Sequence, residues 1–340
     1  MKPYSILHID DTARFHQRMD RNYRHKYERI MAMPEVTTYD LGKPQKNLLA
    51  RSYDVVMMGV FANSGCEFML DGPLEAQNLA HIPLKCAILE DIHDGTFFGG
   101  WRALCQHLNQ HYDFVIATYD CKELDTIKSL CPNIREFFIL PHFIDTRTFH
   151  DYALAKTWDV LFYGNVRVEQ YPFRFRLKNL LAQSNLTVKI IDHPGYAQYA
   201  PQICGANLAR LINQAKITIA TPSSDDYLVA KYVEISAANS MIAGQIASAG
   251  QSLWQGHYIH LDNQMSDQQI IDSLHQALLD PAKLASATEH MYSVIQDNYS
   301  LAAFDLAFES VIEKIILHNN PAHVANPPFL VTTQANECGQ

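Results

Sequence analysis

The fold is decided by residues 225–240, DDYLVAKYVEISAANS. An acidic start that runs into a segment with one lysine and one glutamate predicts a helix over residues 226–238. The preceding residues 216–220, KITIA, have the apolar and β-branched character of a strand, which ends at residues 221–224, TPSS. The helix is therefore expected just beyond the carboxyl end of a strand, where open α/β sheets bind ligands.

Short segments of strand character recur along the chain and alternate with helical patterns. In the first part they are predicted at residues 4–9, 37–39, 55–59, 85–89, 114–117 and 136–140, with helices at 14–31, 100–110 and 120–130. In the second part they are predicted at residues 158–165, 187–191, 216–220, 241–246 and 258–261, with further helices at 266–279, 281–296 and 300–318. This alternation indicates parallel, doubly wound sheets, so the predicted fold class is α/β.

The chain is long enough for two domains. With 340 residues, of which 48% are hydrophobic, it can bury two separate cores. Residues 140–149, LPHFIDTRTF, lack a helical pattern and are the predicted linker. We expect Rossmann-like domains over residues 1–145 and 146–298. Residues 299–318 are predicted as a C-terminal helix that crosses back to the first domain, and residues 319–340, rich in Pro, Asn and Thr, as a flexible tail.

Charge and cysteine content limit the partners and the compartment. The formal net charge of −9 disfavours broad binding to nucleic-acid backbones, which requires clustered Lys and Arg. Seven cysteines without a CxxC pair are typical of reduced thiols, so a cytoplasmic location is expected. The sequence contains no apolar run of the ~18 residues that a transmembrane helix needs.

Three segments resemble GT-B glycosyltransferases. The linker Pro141–Phe149 resembles the P-x-G-[VI]-D-x-x-x-F segment of that fold, with His142-Phe143 replacing the usual pair. Residues 162–165, FYGN, resemble the opening of its nucleotide-sugar domain. Asp226 and Glu234 are eight residues apart, as are the two acids of the E-x7-E motif in group 1 retaining enzymes, with Asp in place of the first Glu.

The stretch with which we began looks most like one branch of these enzymes. In the branch described as CgeB-like or spore-protein-like, the helix reads roughly K-x-x-E-x-x-A-x-G, and here Asn239 replaces the glycine. The resemblance covers about residues 135–310. Over residues 1–130 it is one of fold pattern alone.

The resemblance implies a GT-B fold, in which two Rossmann-like domains face each other across a cleft. It implies transfer of a hexosyl or pentosyl group from a nucleotide-sugar donor, such as a UDP or GDP sugar, to an unidentified glycan, small molecule or protein. Retention of stereochemistry is favoured over inversion. No cofactor and no metal are expected, and the oligomeric state is left open.

The resemblance also assigns roles on the donor side. Glu234 would accept hydrogen bonds from the ribose hydroxyls, unless it is an exposed helix carboxylate. Asp226 would lie near the transferred sugar, although an acid at a helix start has the same appearance in a sequence. Lys231 would oppose the diphosphate, unless it is a solvated lysine.

Further donor-side candidates lie at two other strand ends. Gly164 and Asn165 end a strand and would offer backbone N–H groups to phosphate. Arg167 first, and Arg174 second, would neutralise the leaving nucleoside diphosphate, with solvated arginines as the alternative. His193 begins a Pro-Gly loop after the strand at 187–191 and would contact the donor or belong to an ordinary turn.

Two acidic clusters lie in the first domain. The segment ILHIDD, residues 6–11, is similar to the opening of response-regulator receivers, but Asp54 precedes its strand, where a receiver needs its phosphoacceptor after one. Asp10 and Asp11 are therefore interpreted either as a cap on the following helix or as acceptor-binding residues.

The second cluster, Glu90-Asp91-Ile92-His93-Asp94, ends another strand. It lacks HExxH or HxH spacing, so no metal site is predicted. Asp91 and His93 are candidate bases, whereas Glu90 and Asp94 are candidate acceptor-binding residues, with a solvated loop as the alternative.

Two other functions remain open. A basic groove formed by Arg14, Arg18, Arg21 and Arg24 would permit a modified nucleic-acid base as acceptor, although the net charge disfavours it. A non-catalytic surface or assembly protein could also retain the fold, and it would have lost nucleotide binding.

Overall fold

Two parallel β-sheets form the core of the protein, and helices cover both faces of each sheet. The structure is a computed structural model that describes residues 4–13, 21–59, 79, 81–90, 100–193 and 203–318. The predicted tail, residues 319–340, and three members of the second acidic cluster, Asp91, His93 and Asp94, lie outside these residues.

The first sheet has six strands in the order β2-β1-β3-β4-β5-β6. Their bounds are Ile6–Asp10 (β1), Val36–Asp40 (β2), Val55–Met58 (β3), Leu84–Leu89 (β4), Phe114–Ala117 (β5) and Glu136–Ile139 (β6). Because β1 pairs with both β2 and β3, the strand order reverses between β1 and β3. Parallel strands covered on both faces are nearly continuous apolar runs, and all five residues of β1 are buried.

The second sheet has five strands in the order β11-β10-β9-β7-β8. Their bounds are Trp158–Gly164 (β7), Val188–Asp192 (β8), Ala215–Ala220 (β9), Met241–Gly244 (β10) and Ile259–His260 (β11). Here the order reverses between β7 and β9, since β7 pairs with both β8 and β9. All predicted strands are present, and their ends differ from the prediction by at most two residues.

The helices follow the strands in alternation. Their bounds are Arg21–Ala32 (α1), Lys46–Leu49 (α2), Trp101–His111 (α3), Lys122–Leu130 (α4), Pro172–Ala182 (α5), Gly205–Asn213 (α6), Lys231–Ala237 (α7), Gln251–Trp254 (α8), Asp267–Leu279 (α9), Pro281–Asn298 (α10) and Leu301–Leu317 (α11). The serines before α9 and α11 cap them, as each hydroxyl accepts a hydrogen bond from a backbone N–H in the first turn.

One predicted helix boundary is wrong. Residues 226–238 were expected to be helical throughout, but α7 begins only at Lys231. Asp226 has a φ of 59°, in the left-handed region, so the backbone there cannot continue into a right-handed helix. Asp226 therefore does not cap a helix.

The last helix, α11, packs against the first sheet although it follows the second in sequence. Phe304, Phe308 and Ile312 share a hydrophobic cluster with strand residues such as Ile6 and Val55. A bidentate ion pair adds to this contact, because the Arg29 guanidinium of α1 donates to both carboxylate oxygens of Asp305. Next to it, the linker forms a parallel bridge between Ile144 and Ser300.

The described part of the chain has no helix that is long and apolar enough to cross a membrane. Among the described cysteines, Cys86, Cys105, Cys121 and Cys131 are buried free thiols and Cys204 is partly buried. Burial raises the pKa of the Cys121 and Cys131 thiols to about 12, which keeps both protonated at neutral pH.

Candidate functional site

Gly164 marks the reversal point of the second sheet, at the carboxyl end of β7. Its φ of 104° lies in a region that glycine adopts without strain. A Cβ atom at this position would lie 2.7 Å from Nζ of Lys231 and 3.7 Å from a guanidinium nitrogen of Arg174. The backbone of Gly164 thus allows two cationic side chains to come close to the strand end.

Lys231, the first residue of α7, is held against that strand end. Only 7% of the residue is exposed. Its ammonium group donates a hydrogen bond to the Tyr163 carbonyl and lies 3.9 Å from the centroid of the Tyr163 ring. Burial lowers the pKa of Lys231 well below its usual value, and nearby Arg174 lowers it further, while Glu234 opposes both effects.

Arg174 bridges the ends of β7 and β9. It is 3% exposed, and its guanidinium donates to the Thr221 hydroxyl (3.1 Å) and to the Asn165 carbonyl (3.2 Å). The guanidinium also stacks on the ring of Tyr171 at 3.9 Å. Arg174 occupies the inward face of α5 together with Leu177. Two cations therefore converge at the point where the strand order reverses.

The other candidates near β7 have different surroundings. The Asn165 side chain accepts a hydrogen bond from the backbone N–H of Arg167 (3.0 Å), which shapes the turn after the strand. The Arg167 side chain is exposed. The arginine ranked first from the sequence is therefore not the one that lies beside Lys231. His193, at the end of β8, is also exposed.

Glu234 lies one turn after Lys231 and is 4% exposed. Its carboxylate accepts a hydrogen bond from the Tyr163 hydroxyl at 3.0 Å. All seven side chains of α7 are buried, so the helix is a fixed wall that carries one cation and one carboxylate beside the end of β7. The interpretation of Glu234 as an exposed helix carboxylate is wrong.

Asp226 lies in the segment that connects β9 to α7, residues 221–230. Both of its carboxylate oxygens accept the backbone N–H of Ser248 at 3.2 Å. Ser248 begins a short 3₁₀ helix, Ser248–Gly250, which follows β10. The carboxylate is partly exposed and lies near the carboxyl ends of β9 and β10.

Asn239, which replaces a glycine of the resembled pattern, has a structural explanation. Its φ of 55° is left-handed, a conformation that glycine and asparagine tolerate best. Its side-chain amide donates to the Asp151 carboxylate at 2.9 Å, and its backbone carbonyl accepts from the Lys156 ammonium at 2.5 Å. The replacement thus keeps the backbone conformation and adds a side-chain contact.

The first domain places Asp10 at the corresponding reversal point, at the end of β1. The residue is 2% exposed, and its carboxylate accepts the backbone N–H of Asp11 at 2.9 Å. A Cβ atom on Gly59, after β3, would lie 2.2 Å from a carboxylate oxygen of Asp10. Glycine at this position therefore makes room for the Asp10 side chain.

Glu90, the residue after β4, is the centre of a polar network. Its Oε2 atom accepts hydrogen bonds from the Thr118 hydroxyl (2.7 Å) and the Tyr27 hydroxyl, and lies 3.1 Å from the Lys26 ammonium. Burial alone would raise the pKa of Glu90, but the Lys26 ammonium and the hydrogen bonds from the two hydroxyls favour the charged form, and the pKa is lowered. Glu90 is therefore a buried carboxylate held in its charged form.

Sequence reasoning missed the roles of His142 and Tyr119. His142, which replaces a residue of the resembled linker pattern, is 4% exposed and its Nε2 lies 2.9 Å from the Tyr119 hydroxyl. Its Nδ1 lies 3.9 Å from Oε1 of Glu90. Burial lowers the pKa of His142 to about 3, so the imidazole is neutral at pH 7. The available signal in the sequence was His142 itself, because it replaces part of the usual pair of the resembled linker pattern.

The chemistry available at the second sheet is that of an anion site. At this reversal point the buried side chains of Lys231 and Arg174 lie beside the backbone of Gly164, and the Glu234 carboxylate lies one helical turn away. Open α/β sheets bind ligands at such points. Among the residues that the structure describes, no cluster of three or more His, Cys, Asp or Glu side chains could hold a metal ion.

Comparisons with known proteins give matches only among solved structures. No family model and no curated protein matches the sequence. The Anabaena HepE structure with UDP has a TM-score of 0.63 and 10% identity, covering 91% of this chain and 100% of that one. Sucrose-phosphate synthase from Thermosynechococcus elongatus has a TM-score of 0.58 and 11% identity, covering 93% and 100%.

A third match is partial. The GtfA/B complex has a TM-score of 0.54 and 11% identity, and the match covers 80% of this chain but 59% of that one. Identities of this size are informative about the fold alone. Together with the two doubly wound parallel sheets, these matches show that the chain has the GT-B fold, as the sequence predicted.

Proposed function

We propose that this protein is a glycosyltransferase that uses a nucleotide-sugar donor, and that the donor diphosphate binds between Lys231 and Arg174. The observation that carries the proposal is the convergence of these two buried cations on the glycine backbone at the end of β7. Burial, and to a smaller extent the charge of Arg174, disfavours the charged form of Lys231 and lowers its pKa. A bound diphosphate would favour the charged form of the lysine and raise its pKa again.

The nearby carboxylates fit the remaining parts of such a donor. Glu234 already accepts a hydrogen bond from a hydroxyl, that of Tyr163, and ribose hydroxyls would be donors of the same kind. Asp226, partly exposed at the end of β9, is proposed to contact the transferred sugar. There a carboxylate would stabilise the positive charge that develops as the bond to the phosphate breaks.

The transfer breaks the bond between the anomeric carbon and the phosphate oxygen, and the nucleoside diphosphate leaves with the electron pair. The acceptor oxygen forms the new bond and loses its proton. Lys231 and Arg174 would stabilise the leaving group by charge, so the proposal needs no metal ion. Retention of stereochemistry, and membership in group 1 or in its CgeB-like branch, rest on the motif at residues 226–239.

The acceptor would approach from the first domain. Asp10 and Glu90 lie at carboxyl ends of its strands, and Asp11, Asp91, His93 and Asp94 remain candidates by their positions in the sequence. Glu90 is engaged by Lys26, Thr118 and Tyr27, so we propose that it orients neighbouring groups. A nucleic-acid acceptor stays a second possibility that depends on Arg14, Arg18, Arg21 and Arg24, whose side chains lie outside the described residues.

Donor binding is tested by calorimetric titration with UDP, GDP and ADP, in the presence of EDTA. UDP is the first choice because the HepE structures contain UDP, UDP and glucose, or UDP-glucose. We expect one of the three nucleotides to bind without a divalent cation, because Lys231 and Arg174 would supply the positive charge that a diphosphate requires.

The matched variants compare lysines in the same domain. Lys231→Met preserves the apolar stem and is expected to weaken binding at least about tenfold, the loss of one charge-assisted contact. Lys216→Met removes a partly exposed lysine that pairs with Asp159, and is expected to leave binding unchanged. If no nucleotide binds to the parent protein, the glycosyltransferase proposal is wrong and a non-catalytic role is favoured.

A further inference from the structure

Tyr227, the neighbour of Asp226, packs into the opposite domain. Its ring stacks on that of Tyr119, which follows β5, with centroids 4.3 Å apart and planes 5° from parallel. Both residues are 4% exposed. Tyr227 belongs to a hydrophobic cluster of the first sheet, against which the partly buried Val229 also packs. The segment that precedes α7 is thus attached to both domains.

Tyr119 is a rigid partner for this stack. Its hydroxyl lies 2.9 Å from Nε2 of His142, a linker residue, and the His142 ring also packs edge-on against Tyr119. His142 in turn lies 3.9 Å from Glu90, which Lys26 holds at 3.1 Å. A chain of contacts therefore runs from the polar network of the first domain through the linker to Tyr227.

The backbone around Asp226 depends on such outside contacts. A non-glycine residue with a φ of 59° is strained by roughly 1–3 kcal/mol and persists only when its surroundings fix it. Residues 226–229 have no regular secondary structure. Within its own domain the segment is held by the Ser223 hydroxyl, which accepts the N–H groups of Asp225 (3.2 Å) and Tyr227 (3.4 Å), and by Ser248.

We infer that Tyr119 and Tyr227 are positioning residues for the transfer reaction, and that their stack places Asp226 against the donor sugar when the domains are together. The inference rests on the proposed function. The diphosphate site uses Lys231 and Arg174, neither of which touches the stack in the contacts described above. Loss of the stack should therefore reduce turnover and leave nucleotide affinity unchanged.

The experiment measures three quantities in the 340-residue chain: the Kd for UDP, the kcat for UDP-glucose hydrolysis, and amide hydrogen exchange at residues 225–230. Tyr227→Leu and Tyr119→Leu are each expected to lower kcat by about 10- to 100-fold, because small misplacements of a catalytic group have effects of this size. Exchange at residues 225–230 should accelerate, while the Kd should change by less than about twofold.

Three further variants sharpen the test. The double variant should lose no more kcat than either single variant, because both remove the same stack. Tyr227→Phe keeps the ring and should retain kcat. Tyr292→Leu makes the same substitution at a partly buried tyrosine of α10 and should leave all three quantities unchanged.

Any of three results would overturn the inference. The kcat could be unchanged in both leucine variants, the two losses of kcat could multiply in the double variant, or the affinity for UDP could fall as much as kcat does. If a leucine variant does not fold, Tyr227→Met removes the ring and the stack but keeps a longer apolar side chain that can fill the space. Faster exchange at residues 225–230 in that variant supports the inference, and unchanged exchange overturns it. A parent protein that binds no UDP refutes UDP as the donor nucleotide, while the exchange measurements still decide whether the stack holds the segment.

Discussion

Replacing Gly164 by alanine should damage nucleotide binding far more than it damages the fold. At a φ of 104°, an alanine is strained by roughly 1–3 kcal/mol. The new Cβ would also meet the Lys231 side chain, 2.7 Å from Nζ and 3.4 Å from Cε. Because the end of a lysine side chain can move, this overlap is relieved by displacing the ammonium group, at little further cost in stability.

Gly256→Ala is the matched control, because it separates strain from the displacement of Lys231. Gly256 also has a positive φ, 78°, but nothing lies within 4 Å of its Cβ position. Both variants should lose a similar free energy of unfolding, about 1–3 kcal/mol, from backbone strain alone. Only Gly164→Ala should also lose affinity for the nucleotide, by about tenfold or more if one charge-assisted contact is broken.

Urea unfolding followed by tryptophan fluorescence measures the free energy of unfolding of both variants. Trp158 and Trp254 lie in the second sheet and in α8, so two of the three tryptophans report on this domain. Calorimetric titration with UDP measures the affinity of each variant for the nucleotide. If Gly164→Ala binds UDP as tightly as Gly256→Ala does, then Lys231 does not contribute to the anion site and the reasoning is refuted.

The remaining predictions concern stability. Burial lowers the pKa of His8 to about 4, whereas an unfolded chain binds that proton near pH 6.5. Stability should therefore fall as the pH decreases from 6.5 to 4, by about 3 kcal/mol for this group, and His8→Leu should flatten the dependence of the urea midpoint on pH. Gly244→Ala would put a Cβ atom 1.8 Å from the Ala220 carbonyl at a φ of 144°, so the variant should fail to give folded protein by circular dichroism. Asn239→Gly should shift the thermal midpoint by no more than a few degrees, because glycine restores the left-handed backbone but loses the hydrogen bond to Asp151. Asn239→Ala should be less stable than Asn239→Gly, and the opposite order would contradict the backbone explanation.

The alternation of strands and helices could be read from the sequence because it depends on local periodicity. The strand predicted at residues 136–140, for example, occupies Glu136–Ile139. The start of α7 could not be read in the same way. An acid before an apolar run is the usual sign of a helix N-terminus, and only the structure shows that Asp226 has a left-handed backbone fixed by tertiary contacts.

The choice between Arg167 and Arg174 was in principle available from the sequence. Arg174 is three residues before Leu177 and seven before Leu181, so all three share the buried face of α5. By contrast, the contacts of Glu90 with Lys26 and with His142 join residues that are 64 and 52 positions apart, and no local pattern predicts them.

The bridge between Ile144 and Ser300 means that the chain enters and leaves the second sheet's domain at neighbouring points. The backbone N–H of Ile144 donates to the Tyr299 carbonyl at 2.8 Å, so the two crossings lie side by side. A double connection of this kind favours rotation about a single axis and resists separation or sliding of the two halves. Swivelling about that axis would bring the Tyr227 side chain towards or away from Tyr119 without changing the architecture of either sheet.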